Sequence, residues 1–369
     1  MQLSKVAFLS NDKINSSCLN ANNYLSTDNM LPNIGGYVRS AQLPEGNVTK
    51  FIKNDILLSN IRPYFKKLVF ATIDGGASND VLCIRTNNKN IVPKYLFYCL
   101  SSNSFFSYYN ANCKGTKMPR GDKQALLNYE FPYRNIEQQR HIVNTIGTID
   151  DLIENYNKIK VKIDVLLELE WNNCVNQFET RKYKLKDLIT FSNTGADAIQ
   201  KAPIVEYETN CRCVRVGDFT NNRNYNDWSY CDVKPSIFKQ YQLKKDDILI
   251  TRTASIGLTK FIYEDINAVY NNGIIRIRAN NKIQPVILYL ICCSKDFENH
   301  IKGIEGASST RPNMKINHLL DYDVKIPSIS AQNLIYDKLE KLMSQKETII
   351  NKTNKLVKIK DILLNKYFN

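Results

Sequence analysis

Apolar residues along this chain follow two rhythms. Alternation marks strands: Ile274, Ile275 and Ile277 lie around Arg276 and Arg278, the pattern of a half-buried strand. Short apolar runs at Ile56–Leu58 and Ile248–Ile250 read as further strands. Spacings of three and four mark helices. One such series is Ile142, Ile146, Ile149, Ile153, Tyr156, Ile159, Ile163 and Leu166; another is Ile335, Leu339, Leu342, Ile349, Leu356, Ile359 and Leu363. Both resemble the seam of a coiled coil. Apart from Gly147, neither stretch contains glycine or proline. Pro93 and Pro285 each precede an apolar, aromatic segment. Proline suits a first helical turn, so helices are predicted near Pro93–Tyr109 and Pro285–Ile301.

These patterns occur twice, in the same order. KNDILLSNIR (Lys53–Arg62) matches KDDILITRT (Lys245–Thr253). IRTNNKNIVPKYLFYCL (Ile84–Leu100) matches IRANNKIQPVILYLICC (Ile277–Cys293). Next come the glycine loops CKGTKMPR (Cys113–Arg120) and IEGASSTRP (Ile304–Pro312), then predicted strands ending in proline, LNYEFP (Leu127–Pro132) and LDYDVKIP (Leu320–Pro327). The offset stays between about 190 and 197 residues, far from the 20–50 residue period of a solenoid. The chain is therefore read as a twofold duplication of class α+β, each half a globular domain followed by a long helix. A helix with one apolar stripe needs a partner. The other long helix would pair with it antiparallel about a pseudo-twofold axis, sending the two domains to opposite ends of a rod. The alternative is that each helix packs only on its own domain.

Composition narrows the class. The chain has 369 residues, 43% of them hydrophobic, as in an ordinary globular protein. No run approaches the ~20 apolar residues of a membrane span. MQLSKVAFLSNDK at the start lacks the apolar core of a signal peptide, so a cytoplasmic protein without membrane partners is expected. The ten cysteines include no C-x-x-C, only Cys211-x-Cys213 and the pair Cys292–Cys293. His141, His300 and His318 lie at no ligand spacing from them, so no structural metal is expected. The net charge is +14. Residues 1–184 hold 23 basic and 16 acidic side chains, and the rest hold 27 and 20, so each part carries +7. Two similarly basic halves suit a polyanion, with nucleic acid the preferred partner; a solubilising charge is the other reading.

A proline, then Glu137-Gln138-Gln139-Arg140, then a heptad helix carrying Ile149-Asp150-Asp151-Leu152-Ile153 follows the first domain. A second domain and helix follow. In this order, the whole chain resembles the DNA-specificity subunit of a type I restriction–modification enzyme. The second helix departs from the pattern: Pro327 is present, but the Glu-Gln position reads Ala331-Gln332 and the acidic turn reads Lys346-Glu347-Thr348-Ile349-Ile350. The resemblance implies target-recognition domains at about 1–133 and 181–327, each reading one half of a bipartite site in double-stranded DNA. It implies helices at about 134–180 and 328–369 acting as a ruler. It further implies a non-catalytic chain that assembles with two methyltransferase subunits, which carry S-adenosylmethionine, and with motor–nuclease subunits. The second domain opens with YKLKDLITF (Tyr183–Phe191), of which the first shows little, so the two openings are expected to differ.

Signatures of catalysis are missing from the sequence. Gly115 and Gly121 have the wrong spacing for a phosphate-binding loop, and Gly35–Gly36 and Gly75–Gly76 open no nucleotide-binding helix. No G-x-S-x-G elbow occurs, and the histidines have no nucleophile at suggestive spacing. Candidate DNA contacts are cations and hydroxyls on the repeated loops. In the first half these are Lys114, Thr116, Lys117 and Arg120; in the second, Ser308, Ser309, Thr310 and Arg311. Asn60-Ile61-Arg62-Pro63-Tyr64 with Lys66, and Arg252-Thr253-Ala254-Ser255 with Lys260, follow the apolar strands and add a second pair of sites. Ordinary surface loops are the alternative for all of them. Arg212, Arg215 and Arg223 are weaker candidates, as are the aromatics between Tyr24 and Tyr37 and between Tyr225 and Tyr230. Rival functions are a specificity subunit for a fused nuclease–methyltransferase, a coiled-coil adaptor that binds only proteins, and a nuclease of unfamiliar type.

Overall fold

The computed structural model describes residues 1–197, 200–221, 223–305 and 313–368, with nothing of the side chains of residues 304 and 305. The chain divides into two compact units. One holds Met1–Asn155 and Thr353–Asn369, the other Tyr156–Lys352. Each unit therefore takes a segment of both long helices, which run Ile136–Gln177 and Ile329–Phe368. Among the described residues, no helix is long and apolar enough to cross a membrane.

The same sheet is built twice. In the first unit its four strands lie in the order Ala7–Leu9, Val81–Thr86, Ile56–Ser59 and Leu68–Phe70. In the second the order is Ile189–Thr194, Ile274–Ala279, Asp247–Thr251 and Thr259–Phe261. All neighbours are antiparallel. The two central strands of each sheet are the repeated K-x-D-I-L and I-R phrases, and a buried ion pair joins them. Arg85 donates from Nε to Asp55 Oδ1 at 2.9 Å and from Nη2 to Oδ2 at 2.8 Å. Arg278 donates from Nε to Asp247 Oδ1 at 2.9 Å. Each carboxylate also accepts the backbone amide three residues earlier, that of Ile52 or Lys244, at 2.8 Å. This holds a turn in which Asn54 and Asp246 take left-handed φ of 75° and 68°.

The predicted helices after Pro93 and Pro285 are each two helices. They run Pro93–Leu100 and Asn103–Ala111, and Pro285–Cys292 and Lys295–Glu305. Serine makes the break in both units. Ser102 Oγ accepts from the amide of Phe105, and Ser294 Oγ from that of Phe297, each at 3.2 Å. Such a hydroxyl satisfies an orphan amide of a new first turn better than it serves a helix interior. Another expectation fails in one half. Asp323–Pro327 is a strand, paired with Thr180–Lys184, but the matching LNYEFP begins inside the helix Lys123–Asn128 and keeps only the bridge Gln2↔Glu130. The second unit opens with a five-residue strand where the first has this single bridged residue.

Within each unit the helix segments run antiparallel, because partners rise in number on one as they fall on the other. In the first unit Arg134 Nη2 donates to the carbonyl of Tyr367, and Asp150 pairs with Lys360 at 2.6 Å. In the second, Asp164 pairs with Lys346, Glu170 with Lys338, and Cys174 Sγ donates to the carbonyl of Ala331. Ile142, Ile146, Leu364 and Phe368 enter the first core; Ile163, Leu167, Leu339 and Met343 enter the second. The helix therefore does not pack only on its own domain as a separate element: each core contains both helices.

A buried glutamine fixes each long helix to the turn that precedes the Pro93 or Pro285 helix. Gln139 accepts from the amide of Val92 at 2.8 Å and donates to the carbonyls of Asn90 and Arg134. Gln332 does the same with Gln284, Lys282 and Pro327. Both glutamines are fully buried. Residue order pairs Glu137-Gln138 with Ala331-Gln332, but the clamp makes Gln139, one place further on, the counterpart of Gln332.

Asp247→Asn leaves Arg276 and Arg278 facing a neutral group in a buried site, and should cost about 3 kcal/mol or more in urea unfolding followed by circular dichroism. Gly147 sits inside the first long helix, and an added Cβ would meet only the Tyr98 hydroxyl at 3.8 Å. Gly147→Ala should therefore stabilise the chain by roughly 0.5–1 kcal/mol in the same measurement.

Candidate nucleic-acid interface

In the first unit the end of the central strand Ile56–Ser59 builds the site. Asn60 donates its amide to the carbonyl of Asp80 and accepts on its own carbonyl from Gly121, at 2.8 and 3.0 Å. The Asn60 side chain accepts from the Tyr109 hydroxyl at 2.8 Å. Ile61 bridges Arg120, and the amide of Arg62 donates to the carbonyl of Pro119 at 2.8 Å. The glycine loop is thus a hairpin, Cys113–Lys114 against Arg120–Gly121, docked on the strand end. Two segments about 50 residues apart in sequence become one surface. Gly121 allows it, since a Cβ there would lie 2.0 Å from the Tyr109 ring.

The sequence-selected residues of this half lie on that surface in different states. Arg62, Lys114, Thr116, Lys117 and Arg120 are exposed. Arg120 pairs with Asp80 at 3.1 Å, and Lys114 with Asp122 at 2.5 Å. Lys114, followed by the backbone amide of Ala125, holds the Asp122 carboxyl down to about 2. That carboxylate caps the helix Lys123–Asn128 through the amides of Gln124 and Ala125, and the cap is lost only as pH falls through this value. Lys66 turns aside: its Nζ donates to Asn103 Oδ1 at 2.8 Å and lies 5.9 Å from the Phe106 ring.

The second unit repeats the junction. Thr253 bridges Asn313, the amide of Met314 donates to the carbonyl of Arg252, and the amide of Arg252 donates to that of Gly273. Arg252 is engaged with backbone, from Nε to Met314 O at 3.0 Å and from Nη1 to Asn272 O at 3.3 Å. Lys260 donates to the carbonyl of Arg223 at 3.0 Å, over the rings of Phe219 and Trp228. Burial lowers its pKa. Ser308, Ser309, Thr310 and Arg311 lie outside the described residues. Asn313, just beyond them, stands where Arg120 stands in the first unit.

The weaker candidates are built into the scaffold. Arg212 donates to the Trp228 carbonyl and stacks 4.1 Å from the Tyr230 ring centre. Arg215 donates to Ser229 Oγ, and Arg223 pairs with Asp218. Tyr24 and Trp228 are buried. Sequence reasoning singled out Asn60 at the end of a repeated strand but missed Tyr109, Asp80 and Asp122, which with it place the first site.

Residues 9–165 and 178–359 match the family described as the type I restriction modification DNA specificity domain. The chain belongs to this family. It is a specificity subunit, the non-catalytic kind of chain in a type I restriction–modification system. It is 24% identical over 158 residues to the type I restriction enzyme EcoDI specificity subunit of Escherichia coli, a match covering 41% of this chain and 35% of that protein. The matched stretch spans about a third of that relative's length. The fold is that of the type I restriction–modification S subunit from M. genitalium, with TM-score 0.62, 16% identity, and coverage of 100% of this chain and 95% of the other.

Gly121→Ala should drive the hairpin off the Tyr109 ring and cost about 1–3 kcal/mol of stability, read from the unfolding of the purified chain.

Proposed function

We propose that this specificity subunit reads a bipartite site in double-stranded DNA, one half-site by each unit's recognition domain. The observation that carries the reading is the doubled junction: Ile61 with Arg120 in the first unit, and Thr253 with Asn313 in the second. It brings a loop to a strand end in both units, with Arg62 and Arg120 beside it in the first and Arg252 in the second, as two readers of one polyanion require. The recognition domains are assigned to 1–133 and 181–327, and the helices 134–180 and 328–369 set the unread gap. Contacts fall to Arg62, Lys114, Thr116, Lys117 and Arg120, and to Ser308, Ser309, Thr310 and Arg311; Lys66, Arg252 and Lys260 join them by releasing Asn103 and the carbonyls of Met314, Asn272 and Arg223.

Docking of two methyltransferase subunits, the carriers of S-adenosylmethionine, belongs to the helices. Apolar side chains exposed on them favour this: Leu152, Ile359 and Ile362 in the first unit, and Val161, Val165, Leu169 and Leu334 in the second. Exposed apolar patches of this kind mark protein contacts. Motor–nuclease subunits join the same assembly, which works in the cytoplasm.

The chain, co-expressed with a methyltransferase partner in a methylation-free host, should write a bipartite motif with a fixed gap, mapped as modified bases across the genome. Arg120→Ala and Arg311→Ala should each relax one half of the motif, by roughly 1–3 kcal/mol where the arginine is bidentate to guanine. Equal loss in both halves overturns the assignment of one unit to one half-site. A formed complex that writes nothing, with affinity for DNA insensitive to salt, favours the protein-only adaptor.

A further inference from the structure

The first unit carries a feature that the described residues of the second lack. Between Arg62 and Lys66 the chain makes a tight 3-10 turn, Pro63–Phe65, with both flanking residues left-handed, at φ of 48° and 51°. A second left-handed pair clasps it. Asn33 and Ile34, at φ of 55° and 57°, donate their amides to the carbonyls of Phe65 and Lys66 at 2.8 and 2.9 Å. Left-handed backbone is rare for residues other than glycine, and for a β-branched side chain such as Ile34 it is a true outlier. Strain of this kind persists where the surroundings over-determine it, and it clusters at functional sites.

This knuckle turns aromatic surface outward. Pro63 is buried and roots it, while Tyr64 is 52% exposed and Phe65 40%. Their rings touch, with centres 4.7 Å apart. Phe65 is steadied by Lys67, whose Nζ lies 5.8 Å from its ring centre. Across the Arg62–Pro119 backbone bond stands the hairpin tip, where Met118 is 49% exposed. Around these apolar groups lie Arg62, Lys114, Lys117 and Arg120. At the matching place in the second unit, Ala254 alone is left-handed among non-glycine residues, and Ile256 packs against the core.

We propose that Tyr64 is a specificity-determining residue of the first reader, its ring stacking on or wedging against a base step of the DNA half-site. An exposed ring inside a cationic rim suits a base, whose faces are apolar and whose backbone is anionic. The fixed knuckle presents that ring without the loss of freedom a loose loop would suffer. Among the described residues the second reader has no equivalent, so the two half-sites would be recognised by different chemistry. The inference rests on the DNA-reading function proposed above.

The test uses the full chain assembled with its methyltransferase partner. Tyr64→Ala and Tyr64→Phe are compared with the unaltered chain by mapping methylated sites and by binding to a duplex carrying the mapped motif. Tyr64→Phe should keep the motif. Tyr64→Ala should lose preference at one base step of one half-site and bind the cognate duplex roughly tenfold more weakly, with unfolding temperature and co-purified methyltransferase unchanged. If the unaltered chain writes a bipartite motif and Tyr64→Ala writes the same one as efficiently, the role of Tyr64 falls while the DNA reading stands. If the unaltered chain writes no bipartite motif, the DNA reading itself falls, and this inference with it. Loss of methyltransferase from the Tyr64→Ala complex would make the knuckle a protein contact. Equal loss in Tyr64→Phe would make the hydroxyl, and not the ring, the contact; either result overturns stacking.

Discussion

A carboxylate at the start of one strand, paired with an arginine on its neighbour, is the constraint on which each unit depends. Asp55 and Asp247 lie in the interior, where a charge is tolerated only with a partner and full hydrogen bonding. Arg85 and Arg278 supply the charge, and the amides of Ile52 and Lys244 supply further donors. A one-residue slip between the central strands would strand the charge. The pair therefore fixes register, and register fixes which residues emerge at the strand end. The copies also differ. Cys83 donates its thiol to Asp55, whereas Arg276 occupies that position in the second unit, between the rings of Phe191 and Tyr270.

From that strand end the two readers diverge. In the first unit an asparagine, Asn60, takes the hydroxyl of Tyr109 and leaves the neighbouring arginines outward. In the second, Arg252 stands in the same place and spends donors on the carbonyls of Met314 and Asn272. The scaffold is shared, but the polar groups left over for a ligand are not. This division lets one architecture present different surfaces, since positioning and readout fall on different atoms.

Much of the architecture could be read from residue order. The duplicated phrases and most strand patterns appear as elements, and both heptad series lie in long helices, because periodicity reports which face of an element is buried; Ile159, Leu166 and Ile359 of the predicted seams are nevertheless exposed. Single hydroxyls were less legible. Ser102 and Ser294 split helices that looked continuous, since a capping bond depends on local backbone geometry that hydrophobic spacing does not encode. LNYEFP failed as a strand for a related reason: its partner at Gln2 is one residue long, and pairing is a property of both strands. At the site, the cations were visible as residue types, but their ties to Asp80, Asp122 and Asn103 were not.

By itself the sequence determined the duplication, the α+β class, the two long amphipathic helices and the even positive charge. All of these follow from residue type and spacing. Tertiary structure decided which segments meet. It joined the Arg62 turn to the Gly115 hairpin, placed a piece of each long helix in both cores, and raised Tyr64 on a left-handed knuckle. The physical reason is that these outcomes rest on backbone bonds between segments tens to hundreds of residues apart. Every residue carries the same amide and carbonyl, so no side-chain pattern announces where such bonds will form.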